Sequence, residues 1–199
     1  MKNLLKLLLV FTLFLAIGCA TSVKRIDTTE TVDLSGRWND TDSRLVSEEM
    51  IGDSLQRPWL NNFKKGHGGT LPVVIVGTIK NRSHEHINVQ TFVKDLERAL
   101  INSGEVDFVA AKEEREEIRD ERKDQAIHSS EDTAKSAGEE IGADFMLKGT
   151  ISTIQDKIGG KAVMFYQVNL ELIDVETNRK AWIGEKKIKK FIKRPRFSL

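Results

Sequence analysis

The chain has 199 residues, with 31 Lys plus Arg against 30 Asp plus Glu and 39% apolar side chains; these amounts suit one compact domain with some tail and exclude wholesale disorder. Aromatic residues make up only 7% and charged residues 31%, so the expected core is Val, Ile and Leu beneath a heavily ionic surface. The single cysteine, Cys19, excludes an intramolecular disulfide and a zinc site built from several thiolates.

Residues 1–18 have the layout of an export signal: Lys2 and Lys6, an apolar run from Leu7 to Ile17, and Gly18 ahead of Cys19. As a helix the run measures roughly 16 Å, about half the hydrocarbon thickness of a bilayer, which argues against a permanent span. Leu15-Ala16-Ile17-Gly18-Cys19 resembles a bacterial lipobox, although Ala16 holds the place that favours Leu. The resemblance implies that Cys19 carries a diacylglycerol thioether and begins the mature chain. An ordinary cleaved signal with an incidental cysteine is the alternative, disfavoured because an exposed thiol is a liability in an oxidising compartment. Acyl chains contribute about 0.8 kcal/mol per buried methylene and would anchor the chain durably. Gram-negative lipoproteins with Asp after the cysteine are often retained in the inner membrane, so Ala20 there favours the outer membrane; the expected orientation is facing the periplasm. Without Lys2 and Lys6, 29 basic side chains face 30 acidic ones, and the seven basic residues from Lys186 to Arg196 leave residues 19–185 at −8. The C-terminus is a local cationic patch.

Along the mature chain, residues 19–33 are expected to be the lipidated cysteine and a flexible tether, 34–193 a single domain, and 194–199 a basic tail. Asp40-Thr41-Asp42-Ser43 supplies N-caps for a helix running to about Arg57, with Leu45, Val46, Met50, Ile51 and Leu55 as its apolar stripe and Pro58 as its stop. The short β-branched run from residue 71 to 77 fits a central strand, and residues 80–88 a polar loop. Val89, Phe92, Val93, Leu96, Ala99 and Leu100 recur at helical spacing before Gly104, predicting a helix over 89–102. A short strand at 106–109, a charged helix at 112–124 and a further helix from Ser129 through Ala134, Ala137 and Ile141 follow. Alternation predicts strands at about 144–155 and 162–175, and Glu176-Thr177-Asn178-Arg179 turns into a last strand, 180–191. The order αβαβααβββ implies an α+β fold with helices packed on a small mixed sheet of four to five strands.

No catalytic constellation stands out. Gly66-His67-Gly68-Gly69 lacks the Gly-Lys-Ser/Thr ending of a phosphate loop. His84-Glu85-His86 has i, i+2 spacing without the i, i+4 geometry of helical zinc sites, and these residues are expected to be solvated loop residues. Neither a cofactor nor a metal is expected. Lys187, Lys189, Lys190, Lys193 and Arg194, interleaved with Ile188, Phe191 and Ile192, form a candidate contact patch for anionic wall polymer, lipid headgroups or an acidic protein surface. Protection of an exposed sheet edge by lysines explains the pattern equally well. Nucleic acid is a poor candidate partner for an exported chain whose remaining surface is acidic.

The stretch from Val32 to Val46, with Gly36-Arg37-Trp38-Asn39-Asp40 and Asp42, followed by Arg57-Pro58-Trp59-Leu60 and the strand Pro72-Val73-Val74-Ile75-Val76-Gly77, resembles the LpoB family of penicillin-binding protein activators. Weaker similarity runs through Phe108-Val109, Arg115-Glu116-Glu117 and Gly142-Ala143-Asp144-Phe145, and covers most of residues 32–190. The resemblance implies a fold similar to the N-terminal domain of TolB. It also implies a non-enzymatic lipoprotein of the outer membrane that docks on a class A bifunctional penicillin-binding protein and stimulates its activities; a structural lipoprotein that binds peptidoglycan through its basic tail is a separate reading. Gly36, Arg37, Trp38, Asn39, Asp40, Asp42 and Trp59 carry the resemblance, and capping and packing are sufficient roles for them. The tether is much shorter than the long Pro-rich one of the enterobacterial member. An assembly or secretion lipoprotein of the curli-secretion type is the alternative, although pores need spare hairpins of about 9 to 11 residues per strand.

Overall fold

Asn39 starts the first helix with a reciprocal capping box: its side chain accepts from the Asp42 N–H at 3.0 Å, and the Asp42 carboxylate accepts from the Asn39 N–H at 3.0 Å. The computed structural model describes residues 22–130, 132–135 and 140–193. The signal region, Cys19 and Arg194 lie outside them, as does the rest of the basic tail. Residues 22–31 form one unit, whose feature is a turn in which Asp27 accepts from the Thr29 N–H and hydroxyl at 2.8 and 2.6 Å. The second unit starts at Val32.

In that unit α1 (Asp40–Leu55), α2 (Pro58–Gly66), α3 (Val89–Ser103) and α4 (Lys112–His128) accompany five strands: β1 (Val73–Arg82), β2 (Asp107–Phe108), β3 (Phe145–Ile158), β4 (Lys161–Asp174) and β5 (Lys180–Lys193). The sheet order is β2-β1-β3-β4-β5, with β1 parallel to both neighbours and β3–β4–β5 an antiparallel meander. The expected α+β architecture is therefore observed.

One face of the sheet carries the core. Register aligns Val76, Leu147, Leu172 and Trp182 in one row and Ile151 with Val168 in another, and Val46, Met50, Trp59, Phe92, Leu96 and Leu100 from α1, α2 and α3 close over them. A bulge between Val76 and Ile79 shifts the alternation of β1 so that Ile79 rejoins this face. Gly149 and Gly184 flank Leu170 across the ladder; a Cβ on Gly149 would sit 2.5 Å from the Leu170 side chain, and one on Gly184 2.1 Å from the Trp182 ring. The two glycines make the room in which Leu170 and Trp182 pack.

Several expectations need correction. Pro58 ends α1 but also opens α2 as its first residue, where a missing N–H costs nothing. Strand β1 runs on to Arg82, so three residues of the expected loop, Lys80, Asn81 and Arg82, pair with β3. Leu45 is 47% exposed, and Ser43, Ser47 and Ser54 take part in the buried stripe of α1 instead. Ser129 does not begin a helix: it terminates α4, its N–H bonding to the Gln125 carbonyl, and the described residues from 130 to 144 are non-helical, with Ala137 outside them.

Candidate functional site

The sequence motif at residues 36–42 becomes a knot tying the N-terminal loop to β4 and β5. Trp38 wedges against Phe92 at a ring separation of 6.0 Å, edge-on, and against Tyr166 at 5.7 Å. The Trp38 backbone N–H donates to Glu85 Oε2 at 3.2 Å, and the Tyr166 phenol donates to the same oxygen at 2.9 Å, with the Gly36 carbonyl 3.3 Å away. Burial, followed by the hydrogen bond to Glu85, pushes the Tyr166 phenol well above its ordinary range. Gly36 lies at φ +70°, and a Cβ there would meet Ile192 Cγ1 at 2.4 Å, so only glycine lets the loop cross β5 this closely.

Lys190 anchors the other half of the knot. Its ammonium donates to Asp33 Oδ1 and Asp42 Oδ2, both at 2.6 Å, and to the Arg37 carbonyl at 3.2 Å; the Lys190 and Asp42 side chains are each only 9% exposed. Burial opposes its charge most strongly, yet the bonds to Asp33 and Asp42 more than offset this and hold the ammonium above its ordinary value. Asp42 is pushed up, chiefly by burial, with Asp33 competing for the same ammonium.

The remaining motif residues have local work. Asn39 caps α1 and reaches Asp33 at 2.8 Å, Asp40 is its exposed first residue, and the Trp59 indole donates to the Ser54 carbonyl at 2.7 Å while packing on Phe145. Arg37 is exposed. The lysines of β5 do not form one patch. Alternation sends Lys187, Lys189 and Lys193 to the open face of the sheet and Lys190 to the helix side, where Asp33 and Asp42 hold it. On the open face Phe191 and Ile154 are each 66% exposed.

The expectation of solvated residues at 84–86 fails for Glu85, whereas His84 and His86 are exposed. Glu85 is half-buried in the knot, and the His84 backbone N–H and ring Nδ1 both lie 3.0 Å from the buried Thr153 hydroxyl. Sequence reasoning also missed Tyr166 and Asp33, whose partners lie 81 and 157 positions away. Beside the knot is a cavity of about 460 Å³, lined by Arg37, His84, His86, Lys157 and Lys161 among others.

A family model described as the peptidoglycan-synthase activator LpoB matches residues 42–188. The chain belongs to the LpoB family. Among solved structures, the LpoB C-terminal domain from Salmonella enterica is 18% identical with a TM-score of 0.45, covering 75% of this chain and 99% of that one. The corresponding Escherichia coli domain is 18% identical with a TM-score of 0.46 and the same coverage. The lipoprotein GNA1162 from Neisseria meningitidis is 14% identical with a TM-score of 0.39, covering 60% of this chain and 83% of that one. No curated protein matches the sequence. Membership of the LpoB family implies a peptidoglycan-synthase activator role. Among the described residues no helix is long and apolar enough to cross a membrane.

Proposed function

We propose that this chain is a non-enzymatic lipoprotein, anchored through Cys19 in the outer membrane and facing the periplasm, that binds and activates a class A bifunctional penicillin-binding protein. The match of residues 42–188 to the synthase-activator family carries the reading. The lipobox-like ending at Cys19 supports the anchor, and Ala20 after it the outer membrane. Activation needs no catalytic group in the activator: binding the active conformer of the synthase about tenfold more tightly shifts its equilibrium by about 1.4 kcal/mol. With Asp33 held in the domain by Lys190, the tether of residues 20–31 reaches no more than about 43 Å at full stretch, so the docking domain must meet its synthase close to the anchoring membrane.

Crosslinking the lipidated protein in its native envelope and identifying the captured partners tests the reading. A class A penicillin-binding protein among the main products is expected. Capture of only secretion components, or of a large ring of copies by light scattering, would favour the curli-secretion alternative.

A further inference from the structure

The cavity beside the knot sits over the last cross-strand rows of the helix-side sheet face. These rows are Gln155 with Met164, and Lys157 with Ala162 and Ile192. No helix covers them; two loops do. The loop at 35–37 rests on Ile192 through the bare Gly36 backbone, and the loop at 84–86 is pinned by the His84 bonds to Thr153. The Glu85–Tyr166 hydrogen bond ties the two loops together, with the Gly36 carbonyl close by. The walls are thus fixed by the fold, and the volume of about 460 Å³ lies in the range of sites for small molecules.

Its chemistry is one-sided. The floor is apolar, with Met164 1% exposed. Glu85 is the sole carboxylate among the lining residues, and one of its oxygens already accepts from Trp38 and Tyr166. Arg37, Lys157 and Lys161 make no salt bridge among the described residues, whereas the adjacent Lys190 makes two. Arg37 stands on the loop over β5, and Lys157 and Lys161 at the β3–β4 turn. Cations from two separate segments, the 35–37 loop and the β3–β4 hairpin end, suit an extended ligand with separated carboxylates better than one compact anion.

We propose that this cavity binds a short carboxylate-bearing peptide of the cell wall, its aliphatic chain over Ala162 and Ile192 and its carboxylates on Arg37 and Lys157, with Lys161 at the adjoining hairpin end. The wall as source rests on the envelope location proposed above, and the limited volume of about 460 Å³ favours a free short peptide over a segment of a folded partner.

The test is calorimetric titration of the full chain in detergent with L-Ala-γ-D-Glu-meso-diaminopimelate, with its amidated form, and with inorganic phosphate. Saturable binding of the tripeptide is expected, weakened about tenfold or more by amidation and by the triple variant R37Q/K157Q/K161Q. K187Q/K189Q, on the open sheet face, should bind as the parent does. K157Q/K161Q alone, confined to an exposed hairpin end, guards against misfolding of the triple variant, and the amide signals of Gly159 and Gly160 should shift on binding. Absence of saturable binding, binding unaltered in both lysine-to-glutamine hairpin variants, or inorganic phosphate bound as tightly as the tripeptide would overturn the proposal. Because no synthase is present in the titration, a negative result leaves the activator reading standing, and failure of activation leaves the titration standing.

Discussion

Removing the Lys190 ammonium leaves Asp42, 9% exposed at its side chain, beside Asp33 with no counter-charge. Breaking a buried pair costs far more than never forming it. K190M is therefore expected to lose roughly 2–4 kcal/mol of unfolding free energy in urea, and a loss below about 1 kcal/mol would contradict the clamp. Asp33 is 45% exposed, which keeps the expected loss below that of a fully buried triad. The pH dependence has a definite sign. Lys190 and Tyr166 both titrate higher in the folded chain than when unfolded. Their contributions are fully present below the unfolded values, near pH 10, and disappear as pH rises through the raised folded values. Melting temperature should fall steeply above about pH 10, and K190M/Y166F should flatten that fall. A parent and double variant with parallel alkaline profiles would remove these residues from the account.

Among the elements, α1 depends on its cap and α4 on almost nothing in the core. N39A breaks the capping box and the bond to Asp33, and about 1–2 kcal/mol of stability should go with it in a denaturant titration. Helix α4 has no buried residue, and Ile127 is 74% exposed. I127E should change the unfolding free energy by less than about 0.5 kcal/mol; a larger loss would reveal packing under α4. This helix instead holds Glu140 with the Arg119 fork, at 2.7 Å for both bonds, and with Arg115 and Arg122 within 3.8 Å, so its charge pattern fastens the segment before β3. Local signals made some elements legible. The 3.6-residue spacing of α3 and Gly104 at φ +65° behind it could be read directly, as could the turn at Asn178, which tolerates φ +60°. Helix α2 was not legible because it is only nine residues long and opens on a proline usually read as a stop, although Trp59, Leu60 and Phe63 give it an apolar side. Lys190 was misread because β5 mixes lysine and apolar residues on both faces, so alternation alone cannot say which face is buried.

At the scale of the molecule, helices α1, α2 and α3 cover one side of the sheet and leave the far ends of β3, β4 and β5 to two loops tied by Trp38, Glu85, Tyr166 and Lys190. The family motif was recognisable in sequence, while its physical role was not, because the groups that complete it come from β1's following loop, β4 and β5, up to 157 positions away. Those contacts make the motif a structural clasp and the groove beside it a preformed cavity. On the proposed reading, such a domain speeds peptidoglycan synthesis by binding the enzyme that performs it. The most direct measurement is glycan polymerisation by the purified class A penicillin-binding protein of the same cell, with and without a stoichiometric amount of the full chain. A severalfold rise in initial rate that saturates near one protein per synthase is predicted; an unchanged rate at saturating concentration, with the domain folded, would contradict it.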